Sequence, residues 1–450
     1  MTGFGQHTMI DLSNVSALYD VKSAGYSRDA GRFALELAAT AKDYRLRSWL
    51  DAGWTDMTMQ VDRRLLSGVS SVEKERAIRQ DLRNALTPIV ARGYAAASGP
   101  LYQAHWLLSQ LDDKETGKAI VMVHPLPDER YLVAIGFAGT GGRLYDWLTN
   151  LQFENQDGFH AGFQSLVDQF MNNAHKISFP LAAEQLQREN LTLRDVFDDL
   201  RKPNSRFRVF AAGHSQGAAV LQVWTHRMIS FEKVLPEYLL GYGFGTPSVA
   251  VDDYPCGALP VTLINNSDDV FSRMGFSKHL GEIYVYSADD DLREKCYESV
   301  VDSDLFRRIL ANLSGIKNTA EGLFSTAAFM YALSYIDEKD AHEVLSSFVR
   351  IMPYMGEDLS RSTILLLRRF FRQNYAVATG AEPNEEALAA RAITYYEAMQ
   401  RLGAVAFSQA LYQAIMLPHH LVNRDKNNPG MSAYEFITVR GYDNLVKTTL

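Results

Sequence analysis

Five residues, Gly213-His214-Ser215-Gln216-Gly217, stand in the context RFRVFAAGHSQGAAVLQVW and have the form G-x-S-x-G. A serine in that pattern does chemistry when a strand precedes it and a helix follows, and is otherwise an ordinary loop residue. Here FRVFAAG is an apolar, β-rich run, and GAAVLQVWTHRMISFEKVL carries a helical pattern. A turn between them forces the serine into a strained backbone conformation. Side chains at the flanking glycines would collide with the neighbouring strand and helix. The Ser215 hydroxyl would stand above the carboxyl end of a sheet, with the positive end of a helix dipole facing any negative charge that develops there.

A serine hydroxyl needs a base, and the base needs an orienting carboxylate. On this kind of scaffold the chain order is Ser, then Asp or Glu, then His. The carboxylate should follow a strand beyond Ser215, and LPVTLINNSDDVFSRMG supplies both Asp268 and Asp269. Histidines downstream are His226, His279, His342, His419 and His420. His226 falls inside the helix that follows the serine and reads as structural.

The elements that must position these groups follow from the texture of the chain. Residues 1–115 read as a helical N-terminal segment. SRDAGRFALELAATAKDYRLRSWLDAG spaces apolar residues by three and four after a Ser27 or Asp29 start, and Gly53 can end it. Residues 116–291 read as an α/β core. Its strands are expected in KAIVMVH, RYLVAIGFAGT, FRVFAAG, EYLLGYGFG, LPVTLINN and GEIYVYS, with PLPDE a turn between the first two. Strands alternating with helices imply a mostly parallel sheet covered on both faces, and runs such as Ala119–Val123 suit strands buried on both sides. Residues 292–417 read as a run of helices, a large insertion or cap, and 418–450 as a C-terminal segment that closes the fold.

Composition sets outer bounds. Apolar content of 47% and charged content of 22% fit a globular chain. A net charge of −8 and a pI near 5.8 argue against a nucleic-acid partner. Cys256 and Cys296 lie in no metal or redox spacing, so no metal site is implied. No cleavable signal peptide is seen at the N-terminus, and no apolar run reaches the roughly 18 residues of a membrane span. The most apolar stretch, Gly322–Ile336, is too short to cross a bilayer and reads as a buried helix. The compartment stays open between the cytoplasm and export without a cleaved signal, and the oligomeric state stays open as well.

Ordered blocks around the elbow resemble the class 3, fungal-type lipases of the α/β-hydrolase superfamily. LVAIGFAGTGGRLYDWLTNL looks like that family's oxyanion strand and loop, and FHAGFQSL like its H-x-G-F block. GHSQGAAV matches its elbow, GYGFGTPSVA its F-G-x-P strand, and LINNSDDVFSRMG its N-x-x-D-x-V-P block. FSKHLGEIYVYS is similar to the segment that follows. The resemblance covers residues 119–290 and implies an α/β-hydrolase fold with Ser215 as nucleophile. Asp268 aligns with the family's aspartate, and Asp269 is the alternative. The oxyanion donors would be the N–H groups of Thr140 and Gln216. His214, His160 and Asp146 would hold the site together.

For the histidine, the family's late P-x-H-L context is met by Pro418-His419-His420-Leu421, which points to His420. His342, His279 and His419 are rivals, although His279 matches a family histidine that is not catalytic. The resemblance further implies a carboxylic-ester hydrolase acting on lipid or acyl esters through an acyl-enzyme. It implies no cofactor, and transient contact with a lipid surface. Phospholipase, thioesterase or acyltransferase chemistry, or a catalytically inactive binding protein, would fit the same fold. Departures from the pattern are Gln216 for a leucine, Ala138 for an arginine, Phe271 for a proline, and the long helical block before the late histidines.

Overall fold

The computed structural model describes most residues of 11–57, 119–139, 155–311 and 410–448. Their centre is an eight-stranded sheet built from β1 (Thr55–Asp56), β2 (Ala119–Leu126), β3 (Arg130–Phe137), β6 (Phe207–His214), β7 (Leu239–Phe244), β8 (Val261–Asn266), β9 (Glu282–Tyr286) and β10 (Leu445–Thr448), in that spatial order. A separate two-stranded ribbon pairs β4 (Asn155–Gln156) with β5 (Phe159–His160). Strands β3, β6, β7, β8 and β9 run parallel to one another, while β1, β2 and β10 pair antiparallel at the edges. All six strands expected from the sequence are present. The two edge strands β1 and β10 are additions, too short and too mixed in composition to stand out from their surroundings. The PLPDE turn is tighter than expected. β2 runs through to Leu126, and only the 3-10 turn Pro127–Glu129 separates it from β3, with Leu126 opposite Arg130.

Alternate side chains of the central strands enter two different cores, because successive residues of a strand point to opposite faces. Val209 and Ala211 of β6 pack with Leu239 and Leu263 beneath α4 (Ala161–Asn173), α6 (Leu193–Asp199) and α7 (Gln216–Ser230). Phe210 and Ala212 pack with Leu240 and Ile264 beneath α2 (Arg28–Asp43), α3 (Arg47–Asp51) and α9 (Ala433–Val439). The short helices α1 (Ser16–Tyr19) and α5 (Pro180–Gln185) add Leu18 and Tyr19 to this core and Ala182 and Ala183 to the other. Both faces are covered, so the strands read as unbroken apolar runs rather than alternating ones. This is an α/β-hydrolase-like arrangement: a mostly parallel sheet flanked by N-terminal helices and by helical residues from the C-terminal part of the chain.

Helix α2 buries Ala30, Phe33, Ala34, Leu37, Ala38 and Ala41, one stripe at three- and four-residue spacing. Phe33 is fully enclosed, with ring centroids 4.8 Å from Phe210 and 5.2 Å from Trp49. Enclosing such a side chain is worth about 1.5–3 kcal/mol. The single helix expected from Ser27 to Gly53 is two, α2 and α3. The second ends where Gly53 takes φ +88°, a conformation that favours glycine. Among the described residues, no helix is long and apolar enough to cross a membrane. Residues 58–118, 140–154 and 312–409, including Gly322–Ile336, lie outside them.

Candidate active site

Strand β6 ends at His214, and α7 begins at Gln216, leaving Ser215 alone at the corner. Its backbone takes φ 56°, ψ −124°, which costs on the order of 1–3 kcal/mol for a residue with a side chain. Three main-chain bonds hold it there. Ser215 N–H donates to Phe244 O at 2.9 Å, and Ser215 O accepts from the N–H groups of Ala218 and Ala219. The two flanking glycines are required by contact rather than by φ. A Cβ on Gly213 would lie 2.3 Å from Gly217 O, and one on Gly217 would lie 2.1 Å from Phe137 O. Helix, elbow and β3 therefore meet closer than any side chain allows.

Gln216 is the first residue of α7, where a helix turns its N–H groups and positive dipole end outward. β3 delivers the neighbouring loop to the same place. A Cβ on Gly139 would fall 3.4 Å from Ser215 Cβ. Thr140, the other expected oxyanion donor, lies outside the described residues, as do Asp146 and His342.

The two aspartates of the SDD sequence go to different partners. Asp269 is fully buried, and its Oδ2 accepts from His419 Nδ1 at 2.8 Å and from the Tyr434 hydroxyl at 2.6 Å. Its Oδ1 accepts from Phe271 N–H at 2.9 Å. Asp268, 1% exposed, is held bidentately by Arg293, with Nε and Nη2 each at 2.9 Å. That bond raises the arginine pKa further. The pair that sequence matching favoured, Asp268 with His420, is not the one brought together. Asp268 is committed to an arginine on α8 (Asp290–Cys296), and the histidine on a buried carboxylate is His419.

The reason is local geometry. Residues 416–419 are helical and the helix stops at His420. His419 is the last residue of that turn and His420 the first beyond it, so the two consecutive histidines have different surroundings. His419 is 5% exposed; His420 is half-buried. The His419 ring lies between those of Phe271, centroids 4.0 Å apart, and His214, at 4.4 Å.

This pair sits against the elbow. Gly245 follows the Phe244 whose carbonyl holds Ser215. A Cβ on Gly245 would lie 2.8 Å from Asp269 Oδ2, 3.0 Å from His419 Nδ1 and 3.0 Å from the Tyr434 hydroxyl. Burial, and then the Asp269 charge, push the Tyr434 phenol well above its ordinary range, so it stays protonated as a donor. Nothing in the sequence pointed to Tyr434 or Arg293 individually, since each acts on a residue far away in the chain.

Three further histidines among the described residues have partners of other kinds. His279 donates from Nε2 to Thr246 O at 2.8 Å, and His226 is buried within α7. His160 precedes α4, where its ring stacks on Phe163 at 4.0 Å. Among the described residues, no group of three or more His, Cys, Asp or Glu could hold a metal ion.

Burial pushes the pKa of His214 well below 6.5 and also lowers that of His279. Both are therefore neutral when folded and protonate more readily when unfolded. Their contribution is intact above the unfolded pKa near 6.5 and is lost as pH falls from there toward the folded pKa. Each removes at most about 1.4 kcal/mol of stability per pH unit within that window. Denaturant unfolding between pH 7.5 and 5 should show this slope, reduced in His279→Asn; a flat profile would contradict it.

No family model and no curated protein sequence matches the chain. Among solved structures it is similar to the Rhizomucor miehei lipase in its propeptide complex, at 19% identity over 38% of this chain and 53% of that one, TM-score 0.28. It is also similar to lipase II of Rhizopus niveus, at 20% identity over 38% and 62%, TM-score 0.27. A third match is a triacylglycerol lipase of Penicillium expansum, at 14% identity over 38% and 65%, TM-score 0.24. The chain thus spans roughly half to two thirds of the structures it matches, and likeness at this level carries no information on activity.

Proposed function

We propose that this chain is a serine carboxylic-ester hydrolase in which Ser215 is the nucleophile, His419 the base and Asp269 the carboxylate that orients it. The observation that supports this most directly is the 2.8 Å His419 Nδ1–Asp269 Oδ2 bond beside a strained strand–Ser215–helix corner. With Nδ1–H given to Asp269, Nε2 is the nitrogen left to take the serine proton. Ser215 Oγ attacks the ester carbonyl as His419 Nε2 accepts its proton. The tetrahedral oxyanion is met by the Gln216 N–H and the positive end of α7. Collapse expels the alcohol, which takes the proton from His419. Water, deprotonated by the same nitrogen, then attacks the acyl-enzyme and releases the acid. Thr140 is the proposed second oxyanion donor, and lipid or acyl esters are the proposed substrate class.

The test is labelling with a fluorophosphonate probe, followed by mapping of the modified peptide, alongside hydrolysis of p-nitrophenyl butyrate. Ser215 should carry the label, and Ser215→Ala should lose label and turnover together, by roughly 10⁶-fold in kcat. A Ser215→Ala protein that hydrolyses the ester at the wild-type rate would sink the proposal. A panel of acyl chain lengths and head groups then separates lipase from phospholipase and thioesterase activity.

A further inference from the structure

The helical turn that carries His419 ends one residue later, and the last carbonyls of a helix have no N–H of their own helix to accept. Leu417 O takes His420 N–H, at a long 3.4 Å. The next two carbonyls are taken by side chains from the sheet. Asn266 Nδ2 donates to Pro418 O at 3.2 Å, and His214 Nε2 donates to His419 O at 2.8 Å. These carbonyls belong to the two peptide groups that flank the His419 Cα. Both donors are buried, Asn266 at 0% exposed and His214 at 5%, and they come from the carboxyl ends of two parallel strands, β8 and β6.

Asn266 also fixes the carboxylate side. Its Oδ1 accepts from Asp268 N–H at 3.1 Å and its main-chain O from Asp269 N–H at 3.0 Å. Its own N–H donates to the Tyr434 hydroxyl at 3.3 Å, and that hydroxyl donates in turn to Asp269. One side chain therefore ties the aspartate turn to the peptide that precedes the histidine.

We infer that Asn266 and His214 are positioning residues that clamp the two peptides around His419 and so aim its ring between Asp269 and Ser215. The inference rests on the triad reading above. The clamp answers a definite problem. His419 and Asp269 are 150 residues apart in the chain, so no local structure holds them in register. A displacement of about 1 Å at a catalytic group costs on the order of 10²-fold in rate.

The experiment uses the full chain with p-nitrophenyl butyrate, and a second readout that needs no turnover: the downfield Nδ1–H proton resonance of His419 in ¹⁵N-histidine-labelled protein, assigned by its loss in His419→Gln. Asn266→Ala and His214→Leu should each lower kcat by about 10- to 100-fold with KM within about twofold, and should broaden or remove the resonance. His214→Gln, which keeps a donor near the Nε2 position, should return kcat to within about threefold of wild type. The double variant should lose less than the product of the two single losses, because both hold the same ring. Thermal melting checks folding. If Asn266→Ala does not fold, the His214→Leu and His214→Gln pair carries the test. Wild-type kcat and an unchanged resonance in both single variants would overturn the clamp. A wild type without ester turnover would overturn the hydrolase reading instead, and the resonance would still decide the clamp.

Discussion

Replacing His419 by alanine is expected to lower kcat by roughly 10⁵- to 10⁶-fold, while His420→Ala stays within about threefold of wild type. The two residues are neighbours, so a nonspecific disturbance of this turn would affect both. Their surroundings separate them. His419 lies between the Phe271 and His214 rings with Nδ1 on a buried carboxylate, whereas His420 is half-buried beyond the end of the helix. Loss of a general base also leaves a signature that loss of packing does not. The slow residual hydrolysis in His419→Ala should rise with pH above 8, as hydroxide replaces the missing base, with KM little changed. The measurement is kcat and KM from pH 6 to 10 for both variants. Equal losses in the two, or a loss confined to His420→Ala, would exclude His419 as the base.

Second in size is the contrast between the adjacent aspartates. Asp269→Asn should lower kcat by about 10³- to 10⁴-fold, because an amide can present its N–H to His419 Nδ1 and so favour the wrong tautomer. The fold should survive, since Asn keeps the shape: its oxygen in the Oδ1 place still accepts from Phe271 N–H, and its amide in the Oδ2 place can donate to the Tyr434 hydroxyl, an acceptor as well as a donor. Asp268→Asn should do the reverse. It leaves Arg293 without its bidentate partner and should cost stability rather than rate. Removing one partner of a buried ion pair costs about 3–5 kcal/mol, and the low end applies because the Arg293 side chain is 34% exposed and can regain water. Denaturant unfolding and kcat, measured on both variants, give a crossed pattern: activity lost in one, stability in the other. If Asp268→Asn loses the activity and Asp269→Asn keeps it, the triad assignment is reversed.

How far the sequence could be read depends on the range of the interaction concerned. The elbow is a local object. A strand, five residues and a helix enforce each other, and contacts as close as Gly217 on Phe137 O leave the chain no choice of residue. The six central strands were legible for a similar reason, since burial on both faces demands an unbroken apolar run. β1 and β10 were not, because edge strands this short carry no composition of their own. Nor was the break between α2 and α3, where both halves keep the same apolar spacing.

By itself, then, the sequence determined the α/β class and singled out Ser215, with an aspartate window at 268–269 and, for the histidine, a favoured window at 419–420 beside the rivals His279 and His342. Within each window it could not choose. Asp268 and Asp269 are chemically identical neighbours, as are His419 and His420, and a one-residue difference in register barely alters a motif match. Tertiary structure gives the two members of each pair different surroundings. Arg293 takes one carboxylate, Tyr434 and His419 take the other, and of the two histidines His419 ends the helical turn at 416–419 buried on Asp269 while His420, beyond it, is half-buried. Each selecting contact joins residues far apart in the chain, and direction in space, not residue type, is what it reads.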